Sequence, residues 1–381
     1  MSRLTKVAFQ TRLWFTLTVL ILVGALIVRI IVLVYMAISH VVIASIPITG
    51  DNKFGALPPL LLNNIGYTSN QTIFSLATST GNLPNMPTVA DVYKINSQPT
   101  SLLALVSAEK LAIQFGFSGN YKQISQNRYS WSNTSQTFVY NIANGDFSII
   151  NNAPLNQIQS DENNAQNNLS LTDAGSKVAG MAILQQFNLT GYDTQNPVVT
   201  DLYYSGNSNI SFQSSSSPPT NAIMISLNRS LPYLLKSSTV KYSSNQIQLI
   251  GDDLFTPNIY VIVDSDNASI GSGIIAMSYV NTNVDTTQFS TYNIKTASVA
   301  WQDIQSGNGS LVYLSLENTN PFVSIPNEAI AKFTVQNIYL AYFNGIKSNG
   351  YLEPVYVFSG TALLSNGNVA QFAFLDSAIY N

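Results

Sequence analysis

The chain has no cysteine and one histidine, His40. Without thiols there is no disulfide, no thiol nucleophile and no cysteine-based metal site. With the one imidazole at position 40, no Ser-His-Asp arrangement can form deep in the rest of the chain. Serine-lysine pairs remain conceivable, but serine is too common here for any one to stand out. Charge is scarce as well: Asp, Glu, Lys and Arg make up 9% of 381 residues, against about 25% in ordinary globular domains. The net charge of −3 supplies no basic field, which excludes nucleic acid as an expected partner. Disorder needs high charge and few aromatics, whereas this chain is 46% hydrophobic with 20 Tyr and 18 Phe. Solubility falls to Asn, Ser, Thr and Gln.

One long apolar run stands against this background. Leu13 to Met36, LWFTLTVLILVGALIVRIIVLVYM, holds a single charge, Arg29. About 20 apolar residues in a helix cross the hydrocarbon core of a bilayer, so the run predicts a transmembrane signal anchor over 13–36. The 7–15-residue apolar region of a cleaved signal peptide is the rival reading, with small residues at Val42-Ile43-Ala44. Arg3, Lys6 and Arg12 precede the run and no acidic residue does. The positive-inside bias then predicts a cytoplasmic N-terminus over 1–12 and an extracytoplasmic remainder. Arg29 is a candidate contact for a partner helix, or a charge that snorkels to the interface.

Beyond the anchor, the expected organisation is a membrane-proximal connector over 37–98, an α+β module over 99–152, a second helix-plus-strand module over 153–236, and a β-rich C-terminal module over 237–381. The connector is rich in proline and glycine, with one short strand near Gln71–Leu76; it either pairs with the folded part or acts as a free spacer. Ser101 opens a helix whose apolar face is Leu102, Val106, Ala112 and Phe115, flanked by Leu105 and Leu111, and Gly116 sits where a helix stops. Strands follow at Arg128–Ser132 and across TFVYNIANGDFSII, with Asn144-Gly145 as a hairpin signal. A polar stretch over 151–168 precedes a second helix near Asp173–Phe187. Strands then run at Val198–Tyr204 and Ala222–Leu227, separated by the SSSSPP loop at 214–219. The segments AEKLAIQFGFSG and VAGMAILQQFNLTG echo one another and suggest a duplicated unit. Further strands are expected at Ile247–Ile250, Asn258–Asp264, Ile270–Val280, Ser310–Leu316, Lys332–Phe343, Val355–Leu363 and Asn368–Phe374, interrupted by a helix at Ser298–Ser306. The fold class this implies is α+β: a transmembrane helix followed by a strand-rich ectodomain of helix-plus-antiparallel-sheet modules.

Few constellations could carry chemistry. The acidic clusters are Asp161-Glu162, Asp252-Asp253 and Asp264-Ser265-Asp266-Asn267, and acid-base work would need two of these facing each other across a cleft. Asp264 and Asp266 are the candidate metal ligands, but Ile275 stands where a calcium loop of the common helix-loop-helix type needs glutamate, and a plain turn is the alternative. Neither a glycine-rich phosphate cradle nor zinc-ligand spacing occurs. No catalytic residue and no cofactor is expected. The stretch Gln336–Phe358 packs Tyr339, Tyr342, Phe343, Tyr351, Tyr356 and Phe358 into two strands; Tyr339, Tyr342, Tyr351 and Tyr356 are candidate partner contacts, or core. Asn-X-Ser/Thr sequons, which an exporting and glycosylating host could use, stand at Asn70, Asn133, Asn168, Asn188, Asn209, Asn228, Asn267 and Asn308.

An N-terminal anchor, α+β modules, Phe115-Gly116-Phe117, Tyr129-Ser130-Trp131 and the segment from Pro354 to Gly360 together resemble the YycH/YycI-type extracytoplasmic regulatory proteins of Gram-positive bacteria and related PepSY-like modules. The resemblance implies a protein without catalytic residues that binds a sensor kinase through its anchor and ectodomain. The low charge and the Asn/Ser-rich middle depart from that pattern. The expectation is a non-enzymatic, single-pass envelope protein whose partner is another membrane or envelope protein, or itself. A structural surface-layer or filament component is the alternative, and a wall-polymer hydrolase a third reading.

Overall fold

The structure is a computed structural model. It describes residues 14–15, 17–33, 49–68, 72–96, 103–133, 136–151, 169–187, 189, 191–205, 209–212, 222–232, 246–252, 257–264, 274–280, 282–316, 324–345 and 349–380. The chain divides into two units, Met1–Thr49 with Lys236–Ser243, and Gly50–Leu235 with Ser244–Asn381.

In the first unit, residues 14–15 and 17–33 are helical (α1, residues 17–33). Consecutive side chains Leu20, Ile21, Leu22 and Val23 are 74, 61, 64 and 50% exposed. Four successive helical residues point around the whole circumference, so α1 is apolar on every side. Arg29 is exposed on it. Among the described residues no helix is long and apolar enough to cross a membrane. The sequence-predicted span over 13–36 extends at both ends beyond the described residues, and His40 lies outside them too.

The second unit is strand-rich α+β with two sheets. The first takes β1 (Ile73–Leu76), β2 (Val89–Ile95), β10 (Ser230–Pro232), β11 (Gln246–Ile250), β14 (Val284–Asn293), β15 (Ser310–Leu316), β16 (Ile330–Phe343), β17 (Tyr351–Leu364) and β18 (Val369–Ser377). Its spine runs β10-β11-β16-β17-β18-β15. The second sheet runs β3-β4-β5-β6-β13-β12-β9-β7-β8, with β3 (Lys122–Ser125), β4 (Arg128–Ser132), β5 (Gln136–Asn141), β6 (Phe147–Asn151), β7 (Val198–Ser205), β8 (Asn209–Phe212), β9 (Ala222–Leu227), β12 (Ile259–Asp264) and β13 (Ile274–Tyr279). The helices are α2 (Ala104–Gln114), α3 (Leu169–Leu184) and α4 (Ala297–Gln305).

The two-residue period of a strand builds the first sheet's cores directly. Along β17, Tyr356 and Phe358 join Phe333, Phe372, Phe374 and the α4 residue Trp301 on one face. Val355 and Val357 join Val312, Ala373 and Leu375 on the other, where Leu60 and Leu62 lie over them. The second sheet buries Trp131, Phe138, Phe147, Val261 and Met277 beneath α2 and α3. Two connections depart from the expected antiparallel modules: β1 and β11 both pair with β16 in parallel. Parallel partners need a long crossover, and these strands arrive from distant parts of the sequence.

Local rules explain the helix ends. α2 closes with Gly116 at φ 84°, Gly116 N donating to Ile113 O and Phe117 N to Ala112 O, each at 2.9 Å. That is a Schellman closure, with buried Phe117 as its apolar plug. Its buried face differs from the one expected: Ala108, Ala112 and Phe115 face the sheet, whereas Val106 is 44% exposed and Leu102 lies outside the described residues. α4 is capped by Thr296, whose side chain accepts from Val299 N. The Asn144-Gly145 hairpin forms between β5 and β6, with Gly145 at φ 82° and Asn141 N donating to Asp146 O at 2.8 Å.

Much of the expected connector is paired. From Gly50 onward it belongs to the second unit; β1 lies along β16, and β2 pairs with both β14 and β17. β2 was not foreseen: VADVYKI lacks alternation because five of its residues are buried in succession. The polar stretch over 152–168 and the SSSSPP loop lie outside the described residues.

Candidate binding cleft at the crossing of the two sheets

The chain passes from the second sheet to the first at Asn228-Arg229, between β9 and β10. Backbone pairing fixes that crossing. Tyr192 forms an antiparallel bridge with Arg229, Asp193 N donates to Asn228 O at 2.9 Å, and Leu249 N donates to Arg229 O at 2.8 Å. A cleft of about 50 Å³ opens there. Leu227, Asn228 and Arg229 line it from the crossing, Gln248 to Gly251 from the end of β11, Pro257 and Asn258 from the start of β12, and Tyr192 from the preceding loop.

Arg229 dominates this cleft electrostatically. It is 9% exposed, its Nη1 donates to Thr282 O at 2.5 Å, and its Cζ stands 5.6 Å from the centre of the Tyr192 ring. That cation-π contact favours the guanidinium but does not neutralise it. Nε is fully enclosed and has no hydrogen-bond partner among the described residues. Gly191 leaves room for the group: a Cβ at that position would stand 3.1 Å from Nε. No carboxylate forms an ion pair with Arg229 among the described residues. Burial pushes the Tyr192 hydroxyl up to about 12, against the opposing pull of Arg229, so the phenol stays neutral and donates to Val280 O at 3.1 Å. Every other described lining residue is uncharged. The described lining therefore carries one positive charge, ringed by the amides of Asn228, Gln248 and Asn258.

The second charged cluster is closed. Lys295 Nζ lies 2.8 Å from Asp303 Oδ2 and 3.1 Å from Asp376 Oδ2, tying the end of β14 to α4 and β18. Burial opposes the Lys295 charge, but the two carboxylates outweigh it and its pKa is raised. Asp376 is pushed up to about 6, chiefly by burial, with Lys295 opposing. Each partner is satisfied within the triad, which acts as a latch.

The sequence-predicted residues scatter. Tyr342 and Tyr356 have no exposed surface: Tyr342 Oη donates to Asp91 O at 2.8 Å and Tyr356 Oη to Lys295 O at 2.7 Å. As core side chains they offer a partner nothing. Tyr339 and Tyr351 are half-buried, Tyr339 packed against one face of the first sheet and Tyr351 against the other. Asp264 ends β12 opposite Ala222, while Asp266, Asp253, Asp161 and Glu162 lie outside the described residues. Among the described residues no group of three or more acidic or histidine side chains could hold a metal ion. Asn133 and Asn308 are exposed and Asn228 is half-buried in the cleft wall; Asn209 lies in β8, and Asn70, Asn168, Asn188 and Asn267 are outside the described residues. Arg229 was missed. Its one sequence signal was to be a lone arginine two residues beyond the mainly apolar strand AIMISL.

No protein-family model matches this sequence, and no curated protein matches it. Among solved structures, an uncharacterised protein from Eubacterium rectale ATCC 33656 superposes with a TM-score of 0.36 at 11% identity, over 90% of this chain and 96% of that one. A superposition at that TM-score does not define a shared fold.

Proposed function

We propose that this chain is a non-enzymatic, single-pass envelope protein, with α1 and its flanking residues as membrane anchor and the two-sheet unit as an extracytoplasmic binding module. The observation that carries the reading is α1: a helix apolar around its whole circumference is stable only when lipid or another apolar surface covers it. Arg3, Lys6 and Arg12 before it support a cytoplasmic N-terminus. A binding role is favoured because the one histidine precedes the folded unit, and the buried carboxylates there have structural partners, Asp91 with Thr291, Glu353 with Asn349 and Asp376 with Lys295, while buried Arg229 lines a cleft. The partner would be another membrane or envelope protein, approached through Arg29 in the membrane and through the ectodomain outside it.

A structural surface component is the second reading, favoured by a low-charge surface and the exposed sequons Asn133 and Asn308. Crosslinking in intact cells, followed by mild detergent extraction and mass spectrometry, separates the two. Recovery of one or two membrane proteins at constant ratio supports the regulatory or scaffold role. Recovery of the chain alone in large regular assemblies moves the assignment to the structural role. Externally added protease that leaves residues 45–381 intact in whole cells overturns the topology.

A further inference from the structure

We infer that the Arg229 cleft is a binding site for a single carboxylate group. This goes beyond the anchor-and-partner reading and depends on neither the membrane topology nor a protein partner. A guanidinium withdrawn from water without a counter-charge is strongly disfavoured. Arg229 is nine-tenths buried, its Nε is enclosed and unpartnered among the described residues, and no ion pair among them neutralises it. The aromatic ring of Tyr192 holds the guanidinium in place, so the order needed for recognition is present before any ligand arrives.

Charge and size select the ligand class. The described lining offers one positive charge, which a carboxylate matches and a dianionic phosphate exceeds. Nη1 is already bonded to Thr282 O and Nε is enclosed, so the charge-assisted hydrogen bond to a carboxylate would fall to Nη2. A volume of about 50 Å³ is several times what one water needs, enough for a carboxylate and its α-carbon but not for a whole metabolite. The rest of the ligand would extend past Gln248, which is exposed at the mouth. The shared chemistry belongs both to small free acids and to the C-terminus of a peptide chain.

The test uses the full chain in detergent micelles, titrated with sodium acetate against sodium chloride at constant ionic strength, with the thermal midpoint as readout. A saturable rise with acetate and none with chloride is expected, lost in Arg229→Gln. Gln248 is exposed, so its variants test the idea even where Arg229→Gln does not fold. Gln248→Glu should raise, and Gln248→Lys lower, the half-saturating concentration about fourfold, the scale of one charge at a wet mouth. A short peptide with a free C-terminus should compete with acetate and its amidated form should not. Competition tighter than acetate assigns the site to a chain terminus, and acetate binding without peptide competition assigns it to small free acids. Equal, non-saturating responses in wild type and Arg229→Gln, indifference to both Gln248 changes, or equal competition by the amidated peptide each overturn the assignment.

Discussion

Replacing Glu353 with glutamine should change how stability depends on pH. Glu353 lies in β17 opposite Phe343 and is 1% exposed. Its Oε1 accepts a hydrogen bond from Asn349 Nδ2 at 2.6 Å, and the same amide donates to Pro58 O at 2.9 Å. Burial pushes its carboxyl up from 4.5 to about 7, with the Asn349 bond opposing. The folded chain therefore holds this proton more tightly than the unfolded chain does. Below pH 4.5 both states are protonated; between 4.5 and 7 the unfolded state gives up its proton first, and stability falls as pH rises. At about 1.4 kcal/mol for each pH unit between the two values, the loss by pH 7.5 approaches 3 kcal/mol. Glutamine keeps an acceptor for Asn349 and does not titrate. Its added N–H groups bring a constant cost of about 1–3 kcal/mol if left unpartnered, which offsets the curve without tilting it. The informative quantity is thus the variant-minus-wild-type difference in unfolding free energy, measured by urea denaturation of the full chain in detergent with tryptophan fluorescence as probe. That difference should climb by about 3 kcal/mol from pH 4.5 to 7.5. Asp376 titrates in the same range but is present in both proteins and cancels. A difference flat to within about 0.5 kcal/mol would refute the account of a costly buried charge.

Three further outcomes follow from the packing. Phe333→Ala should cost about 3–5 kcal/mol in the same urea assay, because its ring lies 4.7, 4.9, 5.2 and 5.3 Å from those of Phe372, Phe374, Tyr67 and Phe74. Gly360→Ala should destabilise by about 1–3 kcal/mol, although alanine normally improves a strand, since a Cβ there would run into the Thr334 carbonyl of β16. In a glycosylating host, peptide mapping should find sugar at Asn133 and Asn308, both exposed, and none at Asn228, whose side chain is half-buried in the cleft wall.

Elements bounded by turn residues were legible in the sequence, whether they bury one face or both. Ser310–Leu316 and Ala222–Leu227 were placed to the residue, and the helix around Trp301 to within one residue at each end. What escaped was anything set by distant partners. VADVYKI reads as a connector because both of its faces are buried, Ala90 and Val92 in one apolar cluster and Tyr93 in another, which removes its alternation. The expected modules follow one another in sequence, yet the second sheet draws strands from all three and the first recruits β1 and β11 to β16 in parallel. Local periodicity reports which face is buried and carries no information about which strand buries it. The helix α2 shows the same limit: its stop was written in Gly116, but the sheet selected Ala108 over Val106 for the buried face.

The cleft was illegible for a related reason. In sequence, Asn228-Arg229-Ser230 is a glycosylation sequon holding an ordinary surface cation, and arginine is seldom enclosed without an acidic neighbour. The structure reverses that reading because the crossing between sheets occurs at this residue, so its backbone is pinned by Tyr192 on one side and Leu249 on the other. An arginine at a strand tip could swing into water; one whose main chain is bridged on both sides, with its guanidinium over the Tyr192 ring, is held inward. The aromatic stretch gives the converse case. For Tyr342 and Tyr356 the sequence left partner surface and core both open, and burial decides for core, their hydroxyls donating to the carbonyls of Asp91 and Lys295 inside the fold. Where charge is as sparse as in this chain, composition points to the aromatics, while the fold's buried charges without an ion-pair partner, Arg229 and Glu353 among the described residues, stand out only in the structure.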